Sequence, residues 1–389
     1  MLGWELPPHI NGGMGVVCYE MSKVLSRKGA TIDFVLPYTA PHREAETFMN
    51  IIGASHHTPH AQGGFGVYSD WTVKSDEFAH ITDAYEQTAL RHARKFPPDV
   101  IHANDWLTLR AGVKVKQATK RPLVAHVHAT EFDRAGGTNG NPLIHEIEYL
   151  GLTMADRVIA ISDYTKNLLV KRYHIPPEKI EIIHNTINYD DFADVPNGDS
   201  YRYVSRLKQE GYYVIGAIGR LTVQKGYTHL IRSLGKASKR LSRLVLIIGS
   251  SGELRDELIE LSAELGVSDR VILPGWVSGP TQRDIFRLSD AFVMSSVSEP
   301  FGITPLEAAA HGSAIVVTRQ TGSGEILRHS IKYDYWDEDR LADIMINLAT
   351  SPALTRHLQK SVKNEVKTMN WANIAHRYMD QYKKLGVQA

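Results

Sequence analysis

One pattern limits the fold of this chain more than any other. Short apolar runs alternate with amphipathic helical stretches, and the alternation occurs twice. In the first half the apolar runs are 31–36, 97–103, Leu123-Val124-Ala125-His126-Val127-His128, Arg157-Val158-Ile159-Ala160-Ile161 and 180–185. In the second half they are 213–218, 244–248, 271–277, Ala291-Phe292-Val293-Met294 and 314–318. Each run has strand length and is bounded by turn residues, and most are followed by a stretch of helical period. Such alternation builds open parallel sheets with helices on both faces, so the expected class is α/β with two doubly wound domains. The polar connector around Asp190, Asp191, Pro196, Asn197, Gly198 and Asp199 marks the boundary. The expected division is 1–195, 196–369 and a last amphipathic helix over 370–389. Ligands bind outside the carboxyl ends of parallel strands, which places a shared site in the cleft between two such domains. Residues 41–96 break the rhythm and read as a solvated loop and hairpin region. Their histidines, His42, His56, His57, His60 and His80, match no common metal-site spacing.

Composition removes several function classes. A length of 389 residues suits two domains, and 43% hydrophobic with 22% charged residues is a soluble globular balance. A net charge of +1 offers no bulk attraction for nucleic acid or an anionic membrane. No apolar run approaches the ~18 residues of a membrane span. The first residues lack the basic and long apolar regions of a signal peptide. Cys18 is the only cysteine, so no intramolecular disulfide forms, which suits the cytoplasm. It lies in an apolar helical pattern and reads as an inert buried thiol.

The stretch 298–312 carries the most chemistry. After the strand 291–294 comes Ser298-Glu299-Pro300-Phe301-Gly302-Ile303-Thr304-Pro305-Leu306-Glu307, then an Ala-rich helix stopped by Gly312. Thr304 suits the N-cap and Pro305 the first helical position. A helix N-terminus attracts anionic or polar groups, and the flanking Glu299 and Glu307 suit sugar hydroxyls. The plainer alternative is a capping box, Thr304 with Glu307, that only ties off the helix. Arg220 and Lys225 share the loop after strand 213–218 with Gly226, and two cations at a strand end suit phosphate. Gly12 and Gly13 form a glycine pair between strand and helix, either a plain turn or a close backbone approach to phosphate or sugar. Only Met1 and Leu2 precede that loop. This leaves either an unusually short central strand or a chain that begins a few residues into it. His126 and His128 share one face of their strand, and with Asp105 they admit either a metal site or an active-site strand end.

Taken together, these motifs resemble glycosyltransferase family 4, the retaining nucleotide-sugar transferases with two Rossmann-like domains, the GT-B fold. The likeness rests on Gly219-Arg220…Lys225-Gly226 and the pair Glu299/Glu307, and runs over nearly the whole chain. Gly3-Trp4-Glu5-Leu6-Pro7-Pro8-His9-Ile10-Asn11-Gly12-Gly13, His102-Ala103-Asn104-Asp105-Trp106 and His126-Val127-His128-Ala129-Thr130-Glu131-Phe132-Asp133 resemble the bacterial branch related to glycogen and starch synthases. His184-Asn185-Thr186 departs from it, with Thr where relatives often have Gly.

The resemblance implies roles. Arg220 and Lys225 would bind the donor diphosphate and stabilise the leaving group. Glu307 would hold the ribose, and Glu299 the donor sugar, near the N–H groups of Gly302, Ile303 and Thr304. His128 would lie beside the anomeric carbon and bind the donor sugar's primary hydroxyl, Gly12 and Gly13 would close over the phosphates, and Trp276 and Val277 would meet the base. Asp105 would face the acceptor. No metal and no cofactor would be needed beyond the UDP- or ADP-sugar itself, so the histidines would not form a metal site. The last helix, with Trp371 and Tyr378, would cross back onto the first domain. The expected activity is transfer of a hexosyl group, glucosyl by preference, to a glucan such as glycogen or to another saccharide. The alternatives are a small-molecule or lipid-linked acceptor, a silent nucleotide-sugar-binding protein, and a glucan phosphorylase, which would need a pyridoxal phosphate lysine.

Overall fold

The computed structural model describes residues 1–10, 12–55, 75–193 and 198–387. The chain forms two compact units. The first comprises Met1–Glu131, Asn139–Asn185 and Trp371–Ala389, and the second Phe132–Thr138 and Thr186–Asn370. The first unit therefore ends at Asn185, ahead of the expected boundary at 195, and the short segment Phe132–Thr138 packs with the second unit.

The first unit is built on a parallel sheet of strands β1 (Asp33–Leu36), β2 (Asn50–Gly53), β3 (Ile101–Asn104), β4 (Leu123–Val127), β5 (Arg157–Ala160) and β6 (Ile180–Ile182). Strands β3 and β4 are buried along their whole length, as near-continuous apolar runs covered on both faces must be. The short central strand is reduced to one residue. Leu2 makes parallel bridges to Val35 of β1 and Ala103 of β3, with its N–H on the His102 carbonyl at 2.8 Å. The spatial order is β2, β1, Leu2, β3, β4, β5, β6, so the direction of winding reverses between Leu2 and β3.

The region 41–96 is corrected in part. Asn50–Gly53 pairs parallel with β1, not as a hairpin with it, and Ser75–Lys95 is a long helix. Its buried stripe is Ile81, Tyr85, Ala89 and Ala93 with Thr82 and Glu86. Glu86 is paired with Arg110 at 3.0 Å and with Lys114. His42 is buried with Nδ1 on the Pro7 carbonyl at 2.8 Å. His56, His57 and His60 lie outside the described residues.

The helix Trp371–Lys384 belongs to the first unit. Trp371, Ala375, Tyr378 and Tyr382 form its buried stripe at helical spacing, and it packs on the helix Gly13–Arg27. Arg377 fixes it further, donating to Glu181 at 3.2 Å and to the Ile182 carbonyl at 2.6 Å.

The second unit holds a six-stranded, all-parallel sheet: β7 (Tyr213–Ile218), β8 (Leu244–Gly249), β9 (Val271–Gly275), β10 (Ala291–Met294), β11 (Ala314–Thr318) and β12 (Ile331–Tyr333). The order is β12-β11-β10-β7-β8-β9. Winding runs one way from β7 and the other way from β10. A switch point therefore opens between these two strands, where an open α/β sheet takes its ligand.

Candidate functional site

The loops that leave β7 and β10 carry the second unit's charged motifs, and the structure binds these loops to one another. Gly226 ends the first loop at φ +64°, and a Cβ there would lie 2.2 Å from the Ser295 carbonyl oxygen, so only glycine fits. The Val297 N–H donates to the Gln224 carbonyl at 2.8 Å, Gln224 Nε2 to the Ser298 carbonyl at 3.0 Å, and Ser295 Oγ to the Lys225 carbonyl at 2.8 Å. This brings Lys225 Nζ to 2.5 Å from Glu299 Oε2. Ser296 Oγ donates to the same oxygen at 3.1 Å. Arg220 is half-buried in the same loop. Ser298 Oγ donates to Asp133 Oδ1 at 2.6 Å, which ties the 132–138 segment to the β10 loop.

Glu299 is followed by a turn at Gly302, φ +82°, and then by the helix Thr304–Ala310. The cap differs from expectation. Ile303, already helical at φ −76° and ψ −34°, is the N-cap, and no side-chain cap bond forms. The Gly302 turn delivers the chain in helical conformation one residue early, so the extended N-cap residue of a capping box is missing. The Thr304 hydroxyl is shut off from solvent and makes no hydrogen bond among the described residues, and Glu307 turns sideways to accept from Gln282 Nε2 at 3.3 Å. Burial raises the Glu307 carboxyl to about 7, opposed by the Gln282 bond. Nearby, Val277 is buried and would meet any side chain placed at Gly249, whereas Trp276 is 55% exposed. An exposed indole beside a strand end is a surface on which a flat ring can stack.

In the first unit three loops meet at the switch point. The helix Gly13–Arg27 starts after Gly12, whose backbone is extended and at which a side chain would meet nothing within 4 Å. Neither backbone strain nor packing among the described residues explains this glycine. One N–H of that terminus, Gly15, already donates to the buried Glu5 carboxylate at 3.1 Å. His128 follows β4. Its backbone N–H donates to Asp105 Oδ1 at 2.6 Å, and the Ala129 N–H to the same oxygen at 3.2 Å. Asp105, expected to face an acceptor, is 4% exposed and clamps the end of β3 to that of β4. It does so at φ 57° and ψ 173°, a region nearly reserved for glycine. Such an outlier is held only where the surroundings dictate it.

His128 Nε2 lies 3.1 Å from Asn104 Oδ1. The His126 ring packs on it at 4.1 Å between centroids, His126 Nδ1 meets His102 Nε2 at 3.2 Å, and His102 Nδ1 meets the Tyr382 hydroxyl at 2.8 Å. Burial pushes His102 and His128 down to about 3 and His126 well below its ordinary value, so all three rings are neutral at pH 7. Among the described residues His126 Nε2 is buried without a hydrogen-bond partner, and the rest of the cluster is tied together by these bonds and ring contacts.

Residues 11–191 match the family model for glycosyltransferase family 4, and residues 204–365 that for glycosyl transferases group 1. An uncharacterised glycosyltransferase of Methanocaldococcus jannaschii is 30% identical, over 98% of this chain and 97% of that protein. The chain belongs to glycosyltransferase family 4. A glycogen synthase of Mycobacterium tuberculosis is 27% identical to this glycosyltransferase over 84% of its chain and 78% of the relative. The sucrose-phosphate synthase of Thermosynechococcus elongatus superposes with a TM-score of 0.79 at 18% identity, covering 99% and 98% of the two chains. The glycosyltransferase thus has the GT-B fold class expected of it. No helix among its described residues is long and apolar enough to cross a membrane.

Several supporting residues of the candidate site received no role from the motifs that contain or flank them. Gln224, Ser296 and Gln282 support Lys225, Glu299 and Glu307 through hydrogen bonds, and Asn104 supports His128. The signal available for Gln224 was its position between two marked cations. Gln282 lies in a helix that no motif singles out.

Proposed function

We propose that the protein is a retaining glycosyltransferase that moves a hexosyl group, glucosyl by preference, from a nucleoside-diphosphate sugar to a glucan or other saccharide. The observation that carries this reading is the Lys225–Glu299 pair at the switch point of the six-stranded sheet, with Glu307 on the adjoining helix. Arg220 and Lys225 take the donor diphosphate. In the unliganded protein Lys225 neutralises Glu299, and an incoming diphosphate competes for the ammonium. The freed Glu299 then accepts from hydroxyls of the donor sugar, near the N–H groups of Gly302, Ile303 and Thr304. Glu307 accepts from the ribose, and Trp276 and Val277 meet the base. His128 and the Gly12-Gly13 turn are the first unit's contribution to the donor.

In the transfer step the acceptor oxygen bonds to the anomeric carbon as the bond to the diphosphate oxygen breaks. The acceptor's proton passes to the departing phosphate on the same face, which retains configuration. Cations placed where the leaving charge develops lower that barrier by several kcal/mol, of the order of a preorganised oxyanion site. No metal has a step in this scheme.

The test is a donor panel of UDP-, ADP- and GDP-glucose with and without glycogen, reading nucleoside diphosphate release and the anomeric configuration of the product, with and without EDTA. Release that depends on a saccharide acceptor, an α-linked product and indifference to EDTA are expected. Donor binding without release under every condition would leave a silent binding protein, and an inverted product would refute retention.

A further inference from the structure

Asn104 fixes the chemical identity of His128. The side-chain amide of Asn104 is oriented by the Leu2 carbonyl, which accepts from Asn104 Nδ2 at 2.9 Å and from the Asn104 backbone N–H at 3.1 Å. The opposite amide orientation would set two carbonyl oxygens against each other. Asn104 therefore presents its oxygen, not its NH2, to His128 Nε2 at 3.1 Å. An amide oxygen only accepts, so Nε2 must carry the proton. A neutral imidazole has one N–H, and the lone pair then belongs to Nδ1, which has no hydrogen-bond partner among the described residues. We infer that Asn104 holds His128 as the Nε2–H tautomer, so that Nδ1 is a hydrogen-bond acceptor that selects a donor sugar bearing a hydroxyl, not a carboxylate, at the position it meets.

The surroundings hold the ring in place. His126 stacks against it at 39° between planes, and the stack is anchored through His102 to Tyr382 on the last helix. Asp105 fixes the backbone N–H of His128 itself. Asn104 is completely buried at the end of the β3 strand, next to the one-residue central strand. The same Leu2 carbonyl that closes the sheet thus sets the tautomer. A lone pair accepts from a neutral sugar's hydroxymethyl group but repels the carboxylate of a uronic acid, and a site built around a hydroxyl discriminates strongly against a partner that cannot donate. The selectivity rests on the proposed placement of His128 beside the donor sugar, whereas the tautomer does not.

The experiment uses the full chain labelled with ¹⁵N-histidine, with His128 assigned by comparison with His128→Gln. Long-range ¹H–¹⁵N spectra should show His128 neutral, with Nε2 protonated and Nδ1 bare, at pH 7. Asn104→Leu should lose that preference, and Asn104→Asp, which keeps the acceptor but adds charge, should keep Nε2 protonated and draw a second proton onto the ring. An Nδ1–H ring in the parent protein, or spectra unchanged in both variants, would overturn the tautomer assignment. Turnover is then compared for UDP- and ADP-glucose against UDP-glucuronate. The parent should prefer the better glucose donor by at least roughly a hundredfold in kcat/KM, and Asn104→Asp should narrow that ratio by roughly tenfold or more. Equal use of glucuronate by the parent, or a ratio unmoved in Asn104→Asp, would overturn the selectivity. Failure of any nucleotide sugar to bind or turn over would refute the transferase reading and the selectivity with it, while the spectra would still decide the tautomer.

Discussion

Glu307 is the residue on which the donor site can be tested most directly. Its carboxyl is raised to about 7 by burial, so the folded protein binds that proton more tightly than the unfolded chain does. Stability linked to this group is therefore full below about pH 4.5 and falls as pH rises towards 7, by up to about 3 kcal/mol. Glu307→Gln should raise the unfolding midpoint at pH 8 and leave it unchanged at pH 4, read by urea titration; equal shifts at both would refute the linkage. In the proposed donor site the ribose hydroxyls favour the ionised carboxylate, so donor affinity should improve between pH 6 and 8 in the parent and stay flat in Glu307→Gln, measured by calorimetry. Glu307→Gln should weaken donor binding, whereas Glu299→Gln should mainly lower kcat, because only Glu299 shares a contact with Lys225. Small equal effects on activity from both, with stability alone reduced, would return the stretch to a structural role. Arg220, Lys225, Glu299 and Glu307 were readable because charged residues at strand ends stand out against apolar runs. The true N-cap was not readable, because it depends on the φ of Gly302, a quantity that composition does not carry.

At the scale of elements, the alternation of strand and helix was legible wherever strands were buried on both faces. The helix Ser75–Lys95 was not. Its inward stripe holds one Ile, with Ala, Thr, Tyr and a paired Glu, which give little contrast with its outward face, and the ion pairs that let Glu86 be buried come from Arg110 and Lys114, distant in sequence. Leu2 is the opposite case. One residue serves as a central strand because its neighbours, Val35 and Ala103, are both ordered by longer pairings. The β7 and β10 loops offer an element-scale prediction. Gly226→Ala combines positive φ with a backbone clash and should destabilise the second unit by at least about 2 kcal/mol while separating Lys225 from Glu299. Gly266→Ala, at φ +68° with open space around it, isolates the backbone cost alone, about 1 kcal/mol. Indistinguishable denaturation curves for the two variants would show that the close approach to Ser295 is not rigid.

At the scale of the whole molecule, the first unit stores three neutral histidines in its sheet. Their folded pKa values lie below the ordinary 6.5, so their stabilising contribution is complete above that value and is lost as pH falls towards 3. Each costs about 1.4 kcal/mol per pH unit over that window, so the three rings take up close to three more protons on unfolding at pH 5 than at pH 8, offset in part by the proton that Glu307 releases at pH 5, and the Glu307→Gln variant should show the uptake of the rings without that offset in the pH dependence of the free energy. An uptake that does not change with pH would show the rings to be hydrated. The two-domain plan was visible in the sequence because each half repeats a complete alternation. The exchange of Phe132–Thr138 was hidden, since it depends on the contact of Asp133 with Ser298, 165 residues away.

The return of the last helix to the first unit has a consequence for synthesis. Residues 186–370, together with the short segment Phe132–Thr138, form the second unit, which has all its strands once 333 has been made. The first unit is encoded first, yet its Tyr382–His102 bond and the Trp371–Lys384 packing stay open until residues 371–384 leave the ribosome. The usual order, in which domains mature from the N-terminus onward, is inverted for this chain. Nascent chains stalled after residue 370 should protect amides of β7 and β8 from exchange but not those of β3 and β4. For this enzyme, the half translated first is the half that matures last.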